Sequence, residues 1–152
     1  MDLQFLPLND STLEEAIRIA VEGNTGSEPD VRRRLKRDNQ YFAAINRGKI
    51  LGEIGWYKDD GSYMGKTLGD AYPTGEDIFW VRHFAVYAKF RGHGIGKFLM
   101  TSLEKVVQKL GARELWVYTD QARGFYEKNG FTFVQKVLLQ SEWEDVLQKK
   151  FV

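Results

Sequence analysis

Arg91-Gly92-His93-Gly94-Ile95-Gly96 stands between a strongly apolar run, residues 78–86, and a stripe of apolar side chains at helical spacing. The run predicts a central strand. Ile95, Phe98, Leu99, Leu103, Val106, Val107 and Leu110 predict a long amphipathic helix that Gly111 ends. The six residues therefore open a helix. A helix start presents amides with no intrahelical partner, at the positive end of the helix dipole. Glycines let the chain turn tightly there and let a bulky anion approach. A pyrophosphate suits such a cradle, with Arg91 adding charge; a strand-to-helix turn without a ligand would carry the same glycines. Two other phosphate loops are excluded. A P-loop opens its helix with Gly-Lys-Ser/Thr, and here Phe98 follows Gly96-Lys97. A dinucleotide fingerprint is spaced G-x-G-x-x-G within a parallel repeat, whereas this spacing is G-x-G-x-G with no such repeat behind it.

Working outward, residues 114–118 read as a buried strand, 121–128 as a short helix closed by Asn129-Gly130, and 131–138 and 145–152 as two last strands. Upstream, residues 3–8 predict a first strand. Ser11-Thr12-Leu13-Glu14 has the form of a capping box before a helix that stops at Gly23. Ser27-Glu28-Pro29-Asp30 opens a second helix. Strands over 41–45 and 50–57 flank the hairpin signal Asn46-Arg47-Gly48-Lys49. Residues 58–77 lose the apolar pattern and read as a long loop with room for a short ordered piece, a length that is often functional. The order β-α-α-β-β-β-α-β-α-β-β describes an α+β fold around one mixed sheet. No repeat or linker divides residues 1–152, which predicts a single domain.

Composition narrows the functional classes. The 152 residues carry 22 basic and 21 acidic side chains, so nothing points to nucleic acid or to a membrane as partner. Cysteine is absent, which excludes disulfides, thiolate metal sites and a cysteine nucleophile. Two histidines, His83 and His93, cannot build a multi-histidine metal centre, and no metal is expected. The N-terminus lacks the pattern of a signal peptide, and a cytoplasmic protein is expected.

Val86-Tyr87-Ala88-Lys89-Phe90-Arg91-Gly92-His93-Gly94-Ile95-Gly96 resembles the acetyl-CoA motif of the GNAT superfamily, V-x-P-x-aromatic-R-G-x-G-I-G, with Ala88 where proline is common. Ala122-Arg123-Gly124-Phe125-Tyr126-Glu127-Lys128-Asn129-Gly130-Phe131 is similar to the family's A-x-x-F-Y-E-K-x-G-F segment. The resemblance implies the GNAT fold, with a mixed sheet of about seven strands. It also implies an acetyl-CoA-dependent N-acetyltransferase acting on the primary amine of a small molecule or peptide, by direct attack in a ternary complex. In that family the fourth strand splays from the fifth at a bulge, and the pantetheine arm pairs with it. The arm is thus expected on Phe84-Ala85-Val86, and the pyrophosphate on the amides of Arg91, Gly92, His93, Gly94, Ile95 and Gly96, together with Lys97. His93 then reads as a solvent-facing turn residue. Tyr126 matches the tyrosine that protonates the departing thiolate, against the alternative of a core aromatic. Thr119 stands where the family often has an asparagine contacting the arm.

Other roles stay open at this level. Trp80 and Arg82, at positions where relatives carry a base, are no bases. Strand alternation puts His83 on the opposite face, as a satisfied core or interface histidine. Glu53, Glu76, Asp77 or ordered water are left to deprotonate the amine. Asp59, Asp60, Asp70, Glu76 and Asp77 could form an acidic rim for a cationic acceptor, or a solvated loop. Arg32-Arg33-Arg34-Leu35-Lys36-Arg37 reads as the wet face of the second helix, or as a surface for an acidic partner. Trp56, Tyr57, Tyr63, Tyr72, Phe79 and Trp80 could wall a pocket or pack the core. The rival reading is a non-catalytic acyl-CoA-binding module. Acceptor identity, acyl-chain length and a homodimer through the C-terminal strands are not decided by any residue pattern.

Overall fold

The computed structural model describes residues 1–23, 25–36, 40–58 and 64–151. Among them the chain forms β1 (Gln4–Pro7), α1 (Leu13–Glu22), α2 (Glu28–Leu35), β2 (Tyr41–Asn46), β3 (Lys49–Tyr57) and α3 (Met64–Leu68). Then follow β4 (Ile78–Val86), α4 (Ile95–Lys109), β5 (Glu114–Thr119), α5 (Arg123–Lys128), β6 (Thr132–Leu139) and β7 (Glu142–Lys150). The strands form one sheet in the order β1-β2-β3-β4-β5-β7-β6. β4 and β5 are parallel; β1/β2, β2/β3, β5/β7 and β6/β7 are antiparallel. This is the mixed α+β architecture that the residue pattern predicts, and α3 is the ordered piece within residues 58–77. The chain groups into two compact units and passes between them inside β3, β4 and α4.

The first unit is Met1–Trp56 with Arg82–Lys105. α1 buries Ala16, Ile17, Ile19 and Ala20, one stripe of a 3.6-residue period. Alternate residues of β2, Tyr41, Ala43 and Ile45, join the same cluster, with Val31 and Leu35 of α2, Ile50 and Ala85. On the other side of β2, Phe42 stacks on Phe5 with ring centroids 4.8 Å apart, and Phe5 meets Phe98 of α4 edge-on at 6.3 Å. Each large apolar side chain that is fully buried here, such as Ile17, Ile19 or Leu35, contributes roughly 1.5–3 kcal/mol. The β2–β3 connection is the expected hairpin, and its strands run one residue further than expected on each side, with Asn46 paired to Lys49 across the two-residue turn Arg47-Gly48. The capping box does not form. Thr12 makes no side-chain cap bond, and Asn9 Oδ1 instead accepts from the amides of Ser11 (2.9 Å) and Thr12 (3.1 Å). Asparagine closes such turns as readily as serine or threonine, so the motif alone did not say which residue would cap.

The second unit is Tyr57–Val81 with Val106–Val152. Trp80 lies at the centre of its core, with the rings of Trp116, Tyr57 and Tyr118 at 5.6, 6.3 and 6.4 Å. Met64, Leu68, Val137, Leu139 and Val146 complete the cluster. Tyr57, Phe79 and Trp80 are therefore packing residues rather than pocket walls. The last two strands differ from expectation. They join through the two-residue turn Gln140-Ser141, at φ 47° and 71°, and β7 already begins at Glu142. Such a turn usually carries Asn or Gly, and the exposed Glu142 and Trp143 read like loop residues. At the end of α4, Leu110 falls outside the buried stripe at 53% exposure, because the helix has already stopped at Lys109.

Candidate active site

Beyond Val86 the chain leaves the sheet on a defined path. Tyr87 N donates to Leu51 O (3.0 Å), and a 3-10 turn over Ala88–Phe90 follows, starting at the residue that replaces the usual proline. Arg91 folds back so that its Nε donates to Val86 O at 3.4 Å. Gly92 and Gly94 have φ of +83° and +81°, a region where an L side chain is strained. A Cβ on either would meet no atom within 4 Å, so backbone conformation and not crowding demands glycine, and the space above the turn is open.

α4 begins beneath that space. Phe98 N donates to Gly94 O (3.0 Å), so the amides of Ile95, Gly96 and Lys97 precede the first bond of the helical ladder. Ile95 is fully buried and pins this helix start to the core, while Gly92, His93, Gly94 and Lys97 are exposed. Fixed amides, the dipole end of a 15-residue helix and an open approach together suit an anion. His93 sits in the exposed turn as expected.

β4 shows a bulge-like feature at His83, whose φ is +52°. Regular alternation does not run through that point, so it cannot assign the face of His83. His83 is buried and only half satisfied: Nδ1 lies 3.1 Å from Thr25 Oγ1, and Nε2 has no partner among the described residues. Thr25 already donates its hydroxyl proton to Ala20 O at 2.9 Å. It can therefore only accept from the ring, so Nδ1 carries the proton and Nε2 is the bare nitrogen. Burial, with Arg82 and Arg34 nearby, lowers the imidazole pKa to about 3, which keeps the ring neutral.

After His83 come Phe84, Ala85 and Val86, of which Ala85 is buried. A Cβ on Gly52 of β3 would stand 2.9 Å from Ala85 O and 3.2 Å from Val86 Cα. This close approach was missed in the sequence, although a glycine inside a strand is its signal. Glu53, the next residue, is 1% exposed and neither carboxylate oxygen has a hydrogen-bond partner among the described residues. Burial raises its pKa well above the usual carboxylate range.

The other expected site residues lie in the second unit. Tyr126 of α5 is buried edge-on against Phe125 and Phe131, with centroids 5.4 and 5.3 Å away. Burial pushes its phenol pKa up, so the hydroxyl keeps its proton at neutral pH. Thr119 Oγ1 accepts from Ala122 N (3.0 Å), fixing the turn into α5 and leaving its proton to donate. Of the acidic rim, Asp59 and Asp60 lie outside the described residues, as do Tyr63 and Arg37. Asp70 and Glu76 are exposed, and Glu76 lies 3.5 Å from Lys58 Nζ. Two residues of the basic run are paired: Arg32 bonds Glu28 (2.7 Å) and Glu14, and Arg33 bonds Asp30 (2.8 Å). Among the described residues no helix is long and apolar enough to cross a membrane.

A mixed seven-stranded sheet, with a glycine turn feeding a long helix after its fourth strand, defines an acetyltransferase-type domain. The family model of the acetyltransferase (GNAT) domain matches residues 37–133 of the 152, spanning parts of both units. The chain belongs to the GNAT acetyltransferase family. Solved structures agree on the fold. Ard1 from Thermoplasma volcanium gives a TM-score of 0.77 at 17% identity, over 100% of this chain and 99% of its own. The paia N-acetyltransferase from Thermoplasma acidophilum, in complex with coenzyme A, gives 0.70 at 17%, over 99% and 100%. The N-acetylglutamate synthase from Neisseria gonorrhoeae, complexed with coenzyme A and N-acetyl-glutamate, gives 0.77 at 9% over all of this chain, which spans 36% of that enzyme. No curated protein sequence matches this chain significantly.

Proposed function

We propose that this chain is a single-domain N-acetyltransferase that moves an acetyl group from acetyl-CoA to the primary amine of a small molecule or peptide. The observation that carries the reading is the open turn at Gly92 and Gly94 ahead of α4. In it the pyrophosphate rests on the amides of Arg91, Gly92, His93, Gly94, Ile95, Gly96 and Lys97, and the pantetheine amides pair with Phe84, Ala85 and Val86. Those contacts are made by backbone, which tolerates His93 in an exposed place. Thr119 donates its remaining proton to the arm. The neutral amine attacks the thioester carbonyl, and the amide of Ala85 or Val86 stabilises the developing oxyanion. The carbon–sulfur bond breaks, and Tyr126, held in its protonated form by burial, protonates the leaving thiolate.

Calorimetry with coenzyme A, followed by thiol release from acetyl-CoA across a panel of amines, tests the reading. Absence of coenzyme A affinity would overturn it; affinity without thiol release for any amine would leave the non-catalytic binding module. Tyr126→Phe keeps the packed ring and removes the proton. Its kcat is expected to fall about 100-fold with coenzyme A affinity retained, and an unchanged kcat would remove Tyr126 from the mechanism.

A further inference from the structure

Glu53 is a residue the core has no structural use for. Burying a carboxyl without a partner is unfavourable, and natural cores avoid it unless the group does something there. It lies on β3 opposite Ala43, and cross-strand partners share a face of the sheet. Ala43 belongs to the cluster beneath α1 and α2, so the Glu53 side chain enters that same side. Tyr41 also belongs there: its ring covers Gly55, two residues along β3, and lies 5.9 Å from the ring of His83. Among the described residues, the Glu53 carboxylate and the bare Nε2 of His83 have no hydrogen-bond partner in this largely apolar cluster of the first unit.

The neighbouring strand gives this carboxyl its meaning. Through Gly52, β3 lies directly against Ala85 and Val86, the β4 residues assigned above to the thioester end of the acetyl-CoA arm. We propose that Glu53 receives the ammonium of the acceptor and takes its proton ahead of the attack. The inference rests on the acetyltransferase reading and deepens it, because it assigns the base that the family motifs leave open. An alkylamine has a pKa near 10 and arrives as R–NH3+. Burial keeps Glu53 protonated in the free enzyme, and it releases that proton to solvent as the ammonium pairs with it. One N–H bond then breaks and its proton moves to the Glu53 carboxylate, giving R–NH2 and a neutral carboxyl. The freed lone pair forms the carbon–nitrogen bond and the carbon–sulfur bond breaks; the thiolate takes the Tyr126 proton and ends as the thiol, and the second nitrogen proton passes through solvent to restore the Tyr126 hydroxyl. Glu53 ends protonated, as it began. Its burial fits this work: a carboxyl that holds protons more tightly than usual is a stronger base once ionised.

The experiment compares the full-length chain with Glu53→Gln and Glu53→Asp. It uses acetyl-CoA with spermidine, a lysine-bearing peptide and an aminoglycoside as probe amines, and adds coenzyme A calorimetry and thermal melts. Glu53→Gln is expected to melt no lower than wild type and to bind coenzyme A equally well. For each amine the wild type accepts, its kcat should fall about 100-fold or more. Glu53→Asp, still acidic but shorter, should fall between the two, and it decides the matter should the glutamine variant not fold. A Glu53→Gln kcat within about threefold of wild type, or an aspartate variant no better than glutamine, overturns this inference alone. A wild type that binds coenzyme A and acetylates none of the amines overturns the acetyltransferase reading, and this inference with it.

Discussion

Gly94 and His83 both sit at positive φ, for opposite physical reasons. At Gly94 nothing crowds the residue, so a methyl group disturbs only the backbone preference and the space a ligand would use. Gly94→Ala is therefore expected to lose about 1–2 kcal/mol in denaturant melts. Coenzyme A affinity should fall about tenfold or more by calorimetry. At His83 the surroundings hold an imidazole in an unfavourable conformation and an unfavourable electrostatic place. Its pKa of about 3 in the fold lies below the roughly 6.5 of the unfolded chain. The unfolded state thus binds a proton that the fold excludes, and stability falls as pH drops below that value. Between pH 7 and 5 the loss from this group is about 2 kcal/mol. Asparagine tolerates φ > 0 and still reaches Thr25, so denaturation of His83→Asn at the two pH values should show a smaller loss than wild type.

Elements respond to pH as well, and the β6–β7 hairpin does so with the opposite sign. Glu144 of β7 has a pKa raised to about 7 by burial and by the nearby Asp120, Glu142 and Asp145. Asp120, Glu142 and Glu144 bring carboxylate oxygens within 4.8 Å of one another. Unfolded, Glu144 ionises near its ordinary value, about 4.3. Folding holds it neutral, so stability is lost as pH rises from there toward 7. Glu144→Gln should flatten this limb and melt above wild type at pH 8; equal melting temperatures would mean that the repulsion is relieved in solution.

At the scale of the molecule, charge explains little: the formal net charge is +1, and Arg32 and Arg33 of the basic run are tied to Glu14, Glu28 and Asp30. Ligand linkage is the useful probe. Coenzyme A at a hundred times its Kd should stabilise the protein by about 2.7 kcal/mol, a rise of several degrees in Tm for a chain of this size. The single domain expected over residues 1–152 predicts one transition that moves as a whole, seen alike by circular dichroism and tryptophan fluorescence; two separate transitions would refute it.

Local order and the glycine turn were legible in the amino-acid sequence. The 3.6-residue stripe of α4, the apolar run of β4, the Arg47-Gly48 hairpin and Gly92 with Gly94 each follow from rules acting over a few neighbouring residues. Those residues placed the chain among its relatives. What the tertiary structure decided depends on residues distant in sequence. Gln140-Ser141 takes a glycine-like turn because β6 and β7 pair, and a turn closed by the Asn9 side chain rather than a capping box at Ser11 leads into α1. Trp80 is core because Trp116 and Tyr57 close on it. Glu53, one of several unremarkable acids along the chain, stands out only once β2, β3, α1 and α2 have removed it from water with no hydrogen-bond partner among the described residues, because burial and hydrogen bonding are properties of the assembled surroundings rather than of the residue.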